Sequence, residues 1–157
     1  MDKQLEKIMI MGVGNVLLSD EGAGVHLLSE LAKYSLPENV ELLEGGTAGM
    51  EMLHLFEDLA HLIIVDSINA GAEPGAIFKF KPDDISVIPP QFNVSFHQVG
   101  LLEVLKMAQI FGKLPKTVTI FGIQPASLDW GMELTPKLKE KLPQLAQFVV
   151  DEAWSLV

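Results

Sequence analysis

The chain has 157 residues, 48% apolar and 20% charged, with 21 Asp and Glu against 11 Lys and Arg and a net charge of −10. This composition fits one compact domain over residues 1–157 that buries roughly 70% of its extended surface, and it excludes a disordered chain. The acidity disfavours nucleic acid and anionic membrane surfaces as partners. Zero cysteine rules out disulfides, thiolate nucleophiles and cysteine zinc sites. No apolar run reaches the ~18 residues of a membrane span. The polar, mixed-charge start Met1-Asp2-Lys3-Gln4-Leu5-Glu6-Lys7 is unlike a secretory signal. A soluble, cytoplasmic protein is the expectation.

Lys7 to Val13 is an apolar run ending in Gly12-Val13-Gly14-Asn15, which predicts a buried first strand and a tight turn. A helix is expected from about Asp20 to Tyr34, with Val25, Leu28 and Leu31/Ala32 along one stripe and Ser19 or Asp20 as its N-cap. Val40 to Leu43 predicts a second short strand, closed by Glu44-Gly45-Gly46-Thr47, and a helix over about Gly49 to Leu59 follows. Leu62-Ile63-Ile64-Val65 is the clearest buried strand and stops at Asp66. Ala76 to Phe80 alternates weakly after the turn signal Glu73-Pro74-Gly75, so it is expected at a sheet edge, in antiparallel sense.

His97 to Phe111 is helical in pattern, with Leu101, Leu102, Leu105 and Ala108 inward and Gly112 as the stop. Thr117 to Phe121 predicts a fifth strand, and Gly122 to Leu134 a long loop. Thr135-Pro136 opens a last helix in the N-cap/N1 pattern. Pro143 is expected to kink or restart it.

Alternating strands and helices predict an α/β fold: three layers, a twisted and mostly parallel five-stranded sheet with helices on both faces. Ligand crevices in such sheets open at the carboxyl ends, where the strand order reverses. If the second and third strands lie on opposite sides of the first, that crevice lies between the first and third. Glu21 follows the first strand and Asp66 ends the third, so both would face it.

Glu21, Asp66 and His97 each stand where an apolar strand ends or a helix begins. Two carboxylates and one imidazole suit an oxygen/nitrogen metal site. Each also has a plainer use. Asp66 can cap a turn, Glu21 can complement a helix dipole for ~0.3–1 kcal/mol, Asp20 can be an N-cap, and a histidine opening a helix is often structural. The positive end of a helix disfavours imidazolium, which would keep the His97 ring neutral and able to bind metal. Gly22 and Gly24 cost ~1 kcal/mol each in a helix against alanine, which suggests a close approach of backbone to strand or ligand. Gly45-Gly46-Thr47-Ala48-Gly49 reads either as a flexible turn or as a loop that lies against an extended substrate and offers it backbone N–H groups.

Other familiar sites are absent. Gly12-Val13-Gly14 begins like a dinucleotide fingerprint, but position 17 is Leu where the third glycine belongs. Glu44 at the end of the second strand leaves a small nucleotide- or metabolite-binding module as a weak alternative. There is no G-x-S-x-G and no H-E-x-x-H. Glu51 and His54 read as a solvated helix face, and neither His26 nor His61 has a comparable carboxylate neighbourhood.

Taken in order, five segments resemble the maturation endopeptidases of nickel-iron hydrogenases. They are Gly12-Val13-Gly14-Asn15 with Leu17-Leu18-Ser19-Asp20-Glu21-Gly22-Ala23-Gly24-Val25; Gly45-Gly46-Thr47-Ala48-Gly49-Met50-Glu51; Leu62-Ile63-Ile64-Val65-Asp66; Ser95-Phe96-His97-Gln98-Val99-Gly100-Leu101; and Gly122-Ile123-Gln124-Pro125 leading to Leu134-Thr135-Pro136. The likeness spans about residues 7 to 150. It implies a cytoplasmic peptidase that trims the C-terminal extension of the hydrogenase large-subunit precursor after nickel insertion. A monomer is a separate expectation, since nothing in the sequence marks a large apolar interface. It also implies that the family's three metal-binding residues fall on Glu21, Asp66 and His97; only the resemblance brings His97 to the other two. One departure is Glu44, where the family commonly has Asp, and the extra methylene shifts that carboxylate.

Two mechanisms fit these residues. In one, the protein holds a metal that acidifies the attacking water. In the other, nickel already seated in the precursor binds Glu21, Asp66 and His97 as a readiness check. The resemblance favours the second, so nickel arrives with the substrate and no permanently bound metal is expected. Asp20 and Glu44 are the candidates for general base, and Gly45, Gly46 and Thr47 for substrate binding. A peptidase of the same fold acting on another target is the remaining alternative.

Overall fold

The structure, a computed structural model, describes residues 6–46, 50–82 and 96–157, leaving aside the side chains of 46, 50–52 and 96–102. Strands β1 (Ile8–Val13), β2 (Val40–Gly46), β3 (His61–Ser67), β4 (Ile77–Phe80) and β5 (Thr117–Ile123) form one sheet in the order β2-β1-β3-β5-β4. β1 pairs in parallel with β2 and β3, and β3 pairs in parallel with β5. Only β4 runs antiparallel, at the edge, as its weak alternation led one to expect.

The helices are α1 (Ala23–Leu31), α2 (Phe96–Ile110) and α3 (Pro136–Ser155). Alternation along the strands divides the core in two. Ile8, Ile10, Ile63, Val65, Phe121 and Ile123 face α1 and α3, burying Leu27, Leu31, Leu138, Leu145 and Val149. Met9, Met11, Leu62, Ile64, Val118 and Ile120 face the other way, against Phe56 and the Val104, Leu105 and Ala108 of α2. This is the expected three-layer arrangement. Burying each large aliphatic side chain stabilises it by about 1.5–3 kcal/mol.

Several element boundaries differ from expectation. The chain after Leu18 makes a 3-10 turn, Ser19–Gly22, before α1 starts at Ala23. Neither Ser19 nor Asp20 caps a helix with its side chain, because both are drawn into tertiary hydrogen bonds. The segment Met50–Phe56 is likewise 3-10 rather than α-helical. β2 and β5 run on through glycine, so Glu44-Gly45-Gly46 is strand rather than turn. Pro143 sits inside one continuous helix and does not restart it; Leu145, Ala146 and Val149 beyond it are fully buried, so packing overrides the missing N–H.

β2 and β3 flank β1, so the strand order reverses there, and the β1–β3 carboxyl edge is the place where ligand crevices open in such sheets. α2 also has a defined direction. Its last turn reaches β5 through the short connection 111–116, and Thr117 N–H donates to Ala60 C=O at the amino edge of the sheet. Fifteen helical residues span about 22 Å, close to the length of a seven-residue strand. The first turn of α2, with His97, therefore lies toward the carboxyl edge.

Candidate active site

The segment after β1 is shaped by local hydrogen bonds. Asn15 Oδ1 accepts from Leu17 N–H at 2.9 Å, an Asx turn. Ser19 has φ 50°, a left-handed conformation uncommon outside glycine. It is held there by donation from Ser19 N–H to Gly131 C=O (2.8 Å) and from Ser19 Oγ to Asp129 C=O (2.7 Å). The 3-10 turn that follows separates successive side chains by about 120°. Asp20 consequently points inward while Glu21 stays half-buried at the crevice.

Asp20 is fully buried. Its Oδ2 accepts from the backbone N–H of Ala126 (2.8 Å) and Ser127 (3.1 Å), and its Oδ1 from Thr135 N–H (2.8 Å). Thr135 Oγ1 lies within hydrogen-bond reach of both oxygens, at 3.0 and 2.8 Å. A carboxylate so occupied is a latch between the β1 exit and the loop before α3, and it has no solvent-facing oxygen with which to activate a water. The geometry therefore takes Asp20 out of the general-base role. Glu44 is exposed on β2, opposite Gly12.

Asp66 is 1% exposed. Alternation puts it on the face of Leu62 and Ile64, the face that α2 covers. Its Oδ1 accepts from Ser67 N–H at 2.8 Å, while Oδ2 is buried with no hydrogen-bond partner among the described residues. Burial pushes the Asp66 carboxyl well above its ordinary value; the Ser67 N–H opposes that rise and the nearby Glu21 charge adds to it. A buried, half-satisfied carboxylate beside a second carboxylate is costly unless a cation joins them. Two carboxylates so placed are oxygen donors that fit a divalent cation.

Gly14 is where the pieces meet. A Cβ built there would fall 1.9 Å from the Glu21 carbonyl oxygen and 3.5 Å from Asp66 Oδ1, and its φ is 135°. In a dinucleotide site a glycine at this place leaves room for a pyrophosphate; here the Glu21 carbonyl fills that room. Gly24, whose Cβ would fall 2.2 Å from the Val65 carbonyl oxygen, lets α1 lie directly on the sheet, which is the close approach expected of the helix-1 glycines. Gly14→Ala should destabilise the fold by roughly 3 kcal/mol or more and displace Glu21 from Asp66. Thermal unfolding checks this; an unchanged midpoint would contradict the geometry.

The structure thus brings Glu21 and Asp66 to one crevice and sets His97 in the first turn of α2, at the same edge of the sheet. The His97 side chain lies outside the described residues, and among the described residues no three metal-capable side chains form a group. Gly45 lies on β2 against the Met11 side chain, Gly46 ends that strand, and Thr47 lies outside the described residues. β2 is an edge strand, so among the described residues no further strand pairs with its outer side. His61 serves elsewhere: its ring bonds Thr117 Oγ1 and Glu6 at the amino edge. That Thr135 and the backbone N–H groups of Ala126 and Ser127 are the partners of Asp20 is not foreseeable from the sequence; the adjacent acids Asp20-Glu21 are the only signal, and they do not say which one turns inward.

Residues 25–152 match the family described as hydrogenase maturation protease. The hydrogenase 2 maturation protease of Escherichia coli K12 is 38% identical over 144 residues, covering 90% of this chain and 87% of that protein. The hydrogenase expression/formation protein HupD of Bradyrhizobium diazoefficiens is 36% identical over 141 residues, covering 88% of this chain and 73% of that one. The solved structure of the hydrogenase maturating endopeptidase HybD from E. coli aligns with a TM-score of 0.85 at 35% identity, over 95% of this chain and 93% of that one.

Proposed function

This chain belongs to the hydrogenase maturation protease family and is a peptidase, and on that premise we propose that it removes the C-terminal extension of a nickel-iron hydrogenase large-subunit precursor once nickel is in place. Nickel is cargo of the substrate, bound by Glu21, Asp66 and His97 as the signal that the precursor is ready. The observation that carries this reading is the buried Oδ2 of Asp66, which has no hydrogen-bond partner among the described residues and lies beside Glu21. A cation delivered with the substrate would relieve both the lost hydration and the repulsion, so cleavage-competent binding would depend on it.

The reaction is hydrolysis of one peptide bond. Water adds to the scissile carbonyl carbon, the C–N bond breaks, and the leaving amine takes a proton. Glu44 is the remaining candidate to accept the water's proton, since Asp20 is committed to backbone. The precursor's C-terminal segment is proposed to run along the Gly45–Gly46 end of β2 and past Thr47, as an added strand offers main-chain hydrogen bonds to an extended peptide.

Purified large-subunit precursor, with and without nickel, should be incubated with the chain and weighed by mass spectrometry. A C-terminal peptide should leave only the loaded form, and Glu21→Gln, Asp66→Asn and His97→Ala should each lose that cleavage. Processing that ignores nickel, or that survives all three substitutions, would overturn the nickel-recognition reading. Stoichiometric metal in the purified chain would favour the resident-metal mechanism instead. We place this work in the cytoplasm, by a monomer; no helix among the described residues is long and apolar enough to cross a membrane.

A further inference from the structure

Leu17, Leu128, Trp130 and Met132 are 46%, 45%, 81% and 70% exposed. They lie on two segments joined at one point. Gly131 N–H donates to Leu17 C=O at 2.9 Å, Ser19 N–H donates to Gly131 C=O at 2.8 Å, and Leu18 forms an isolated parallel bridge with Gly131. Leu17 precedes that bridge on one segment; Trp130 and Met132 flank it on the other. Beneath it, the Asp20 carboxylate ties Ala126, Ser127 and Thr135 to the same place.

An exposed tryptophan and methionine on a backbone fixed at both ends is unlike an ordinary surface loop. The backbone is ordered before anything binds, which lowers the entropic cost of docking. Tryptophan is also among the residues most enriched in binding hot spots. The loop's position says what should dock there: its latch residue, Asp20, is the immediate neighbour of Glu21, so anything seated on Trp130 has a fixed relation to the Glu21–Asp66 crevice. A substrate that is a folded protein must meet this enzyme beyond the crevice that takes its tail. Among the described residues, the other exposed large apolar side chains lie on other elements: Leu42 on β2, a group at and just beyond the end of α2 that includes Ile110 and Phe111, and Phe148, Trp154 and Val157 on and after α3. The α2 group is at the amino edge of the sheet, about 20 Å from that crevice.

We infer that Leu17, Leu128, Trp130 and Met132 form a docking surface for the folded body of the hydrogenase large-subunit precursor, beside the crevice that receives its C-terminal segment. The assignment rests on the proposed function and adds an interaction surface to it. Docking there acts on substrate capture rather than on bond cleavage, so it separates in KM from kcat.

The test is steady-state processing of purified, nickel-loaded precursor by the wild-type chain, by Trp130→Ser, by Met132→Ser, and by Phe111→Ser as a remote apolar control. Each of the two loop variants should raise KM by about 10- to 100-fold, hold kcat within about 3-fold, and keep the wild-type unfolding midpoint. Phe111→Ser should leave both constants unchanged. Should Trp130→Ser fail to fold, Met132→Ser carries the measurement. Unchanged KM in the loop variants, or a fall in kcat at constant KM, overturns the docking surface alone. A wild-type chain that cleaves no loaded precursor overturns the proposed function and this surface together.

Discussion

Asp66→Asn is expected to lose precursor processing by at least about 100-fold and, at neutral pH, to unfold at a higher temperature than the wild-type protein. The two effects share one cause. Burial, reinforced by the Glu21 charge and opposed by the Ser67 N–H, raises the Asp66 carboxyl well above its ordinary value. Between the unfolded value, about 3.9, and that raised folded value, the native state holds more protons than the unfolded chain. Stability contributed by this group therefore falls as pH rises through that window, and above it the native protein bears the full cost of a buried charge. Asparagine keeps an Oδ1 for the Ser67 N–H and removes the charge. Its stabilising effect should be present at pH 7 and disappear below about pH 4. Melting curves at both pH values, with wild type alongside, decide the matter. A lower midpoint for the variant at pH 7 would mean that Asp66 is already neutralised by a partner in the free protein. The expected pattern is that of a site held short of its own stability optimum in order to bind.

Asp20→Ala should produce the opposite combination: a large loss of stability with function lost through it. The substitution leaves the N–H groups of Ala126, Ser127 and Thr135 without their acceptor, and removes the anion around which the loop is folded. About 3–5 kcal/mol is expected for breaking such a buried charged network, a drop of roughly 10 °C or more in a chain of this size. Asp20→Asn keeps the volume but turns an amide N–H₂ toward N–H donors, so it should still cost about 1–3 kcal/mol. Glu21→Gln, one residue on, should lose processing with little change in the unfolding midpoint. If Asp20→Ala melts within about 2 °C of wild type, the latch is not what holds the 126–135 segment. The comparison separates two neighbouring acids that the sequence presents as alike.

Much of the fold was legible because buried strands write themselves as apolar runs. Leu62–Val65 and Ile8–Val13 could lie nowhere but inside, and Thr135-Pro136 marked the start of α3. The errors came where tertiary contacts overrule local preference. Ser19-Asp20-Glu21-Gly22 has the composition of a helix start, yet Asp20 gains more from three backbone N–H groups in another segment than from capping its own helix. Pro143 should interrupt a helix, yet the buried face on both sides of it keeps α3 continuous. Gly45 and Gly46 resemble a turn, yet the pairing with β1 continues across an irregularity at Gly45 to Val13 and Gly46.

The sequence by itself determined the α/β class, the edge position of β4, and the residues Glu21, Asp66 and His97 as candidates, because hydrophobic periodicity and ligand chemistry are carried residue by residue. The three-dimensional arrangement alone decided that Asp20 and Glu21 divide into a latch and a crevice carboxylate, and that one buried oxygen of Asp66 finds no partner among the described residues. Those outcomes depend on which distant N–H groups come within 3 Å of a carboxylate, and local sequence does not encode that distance.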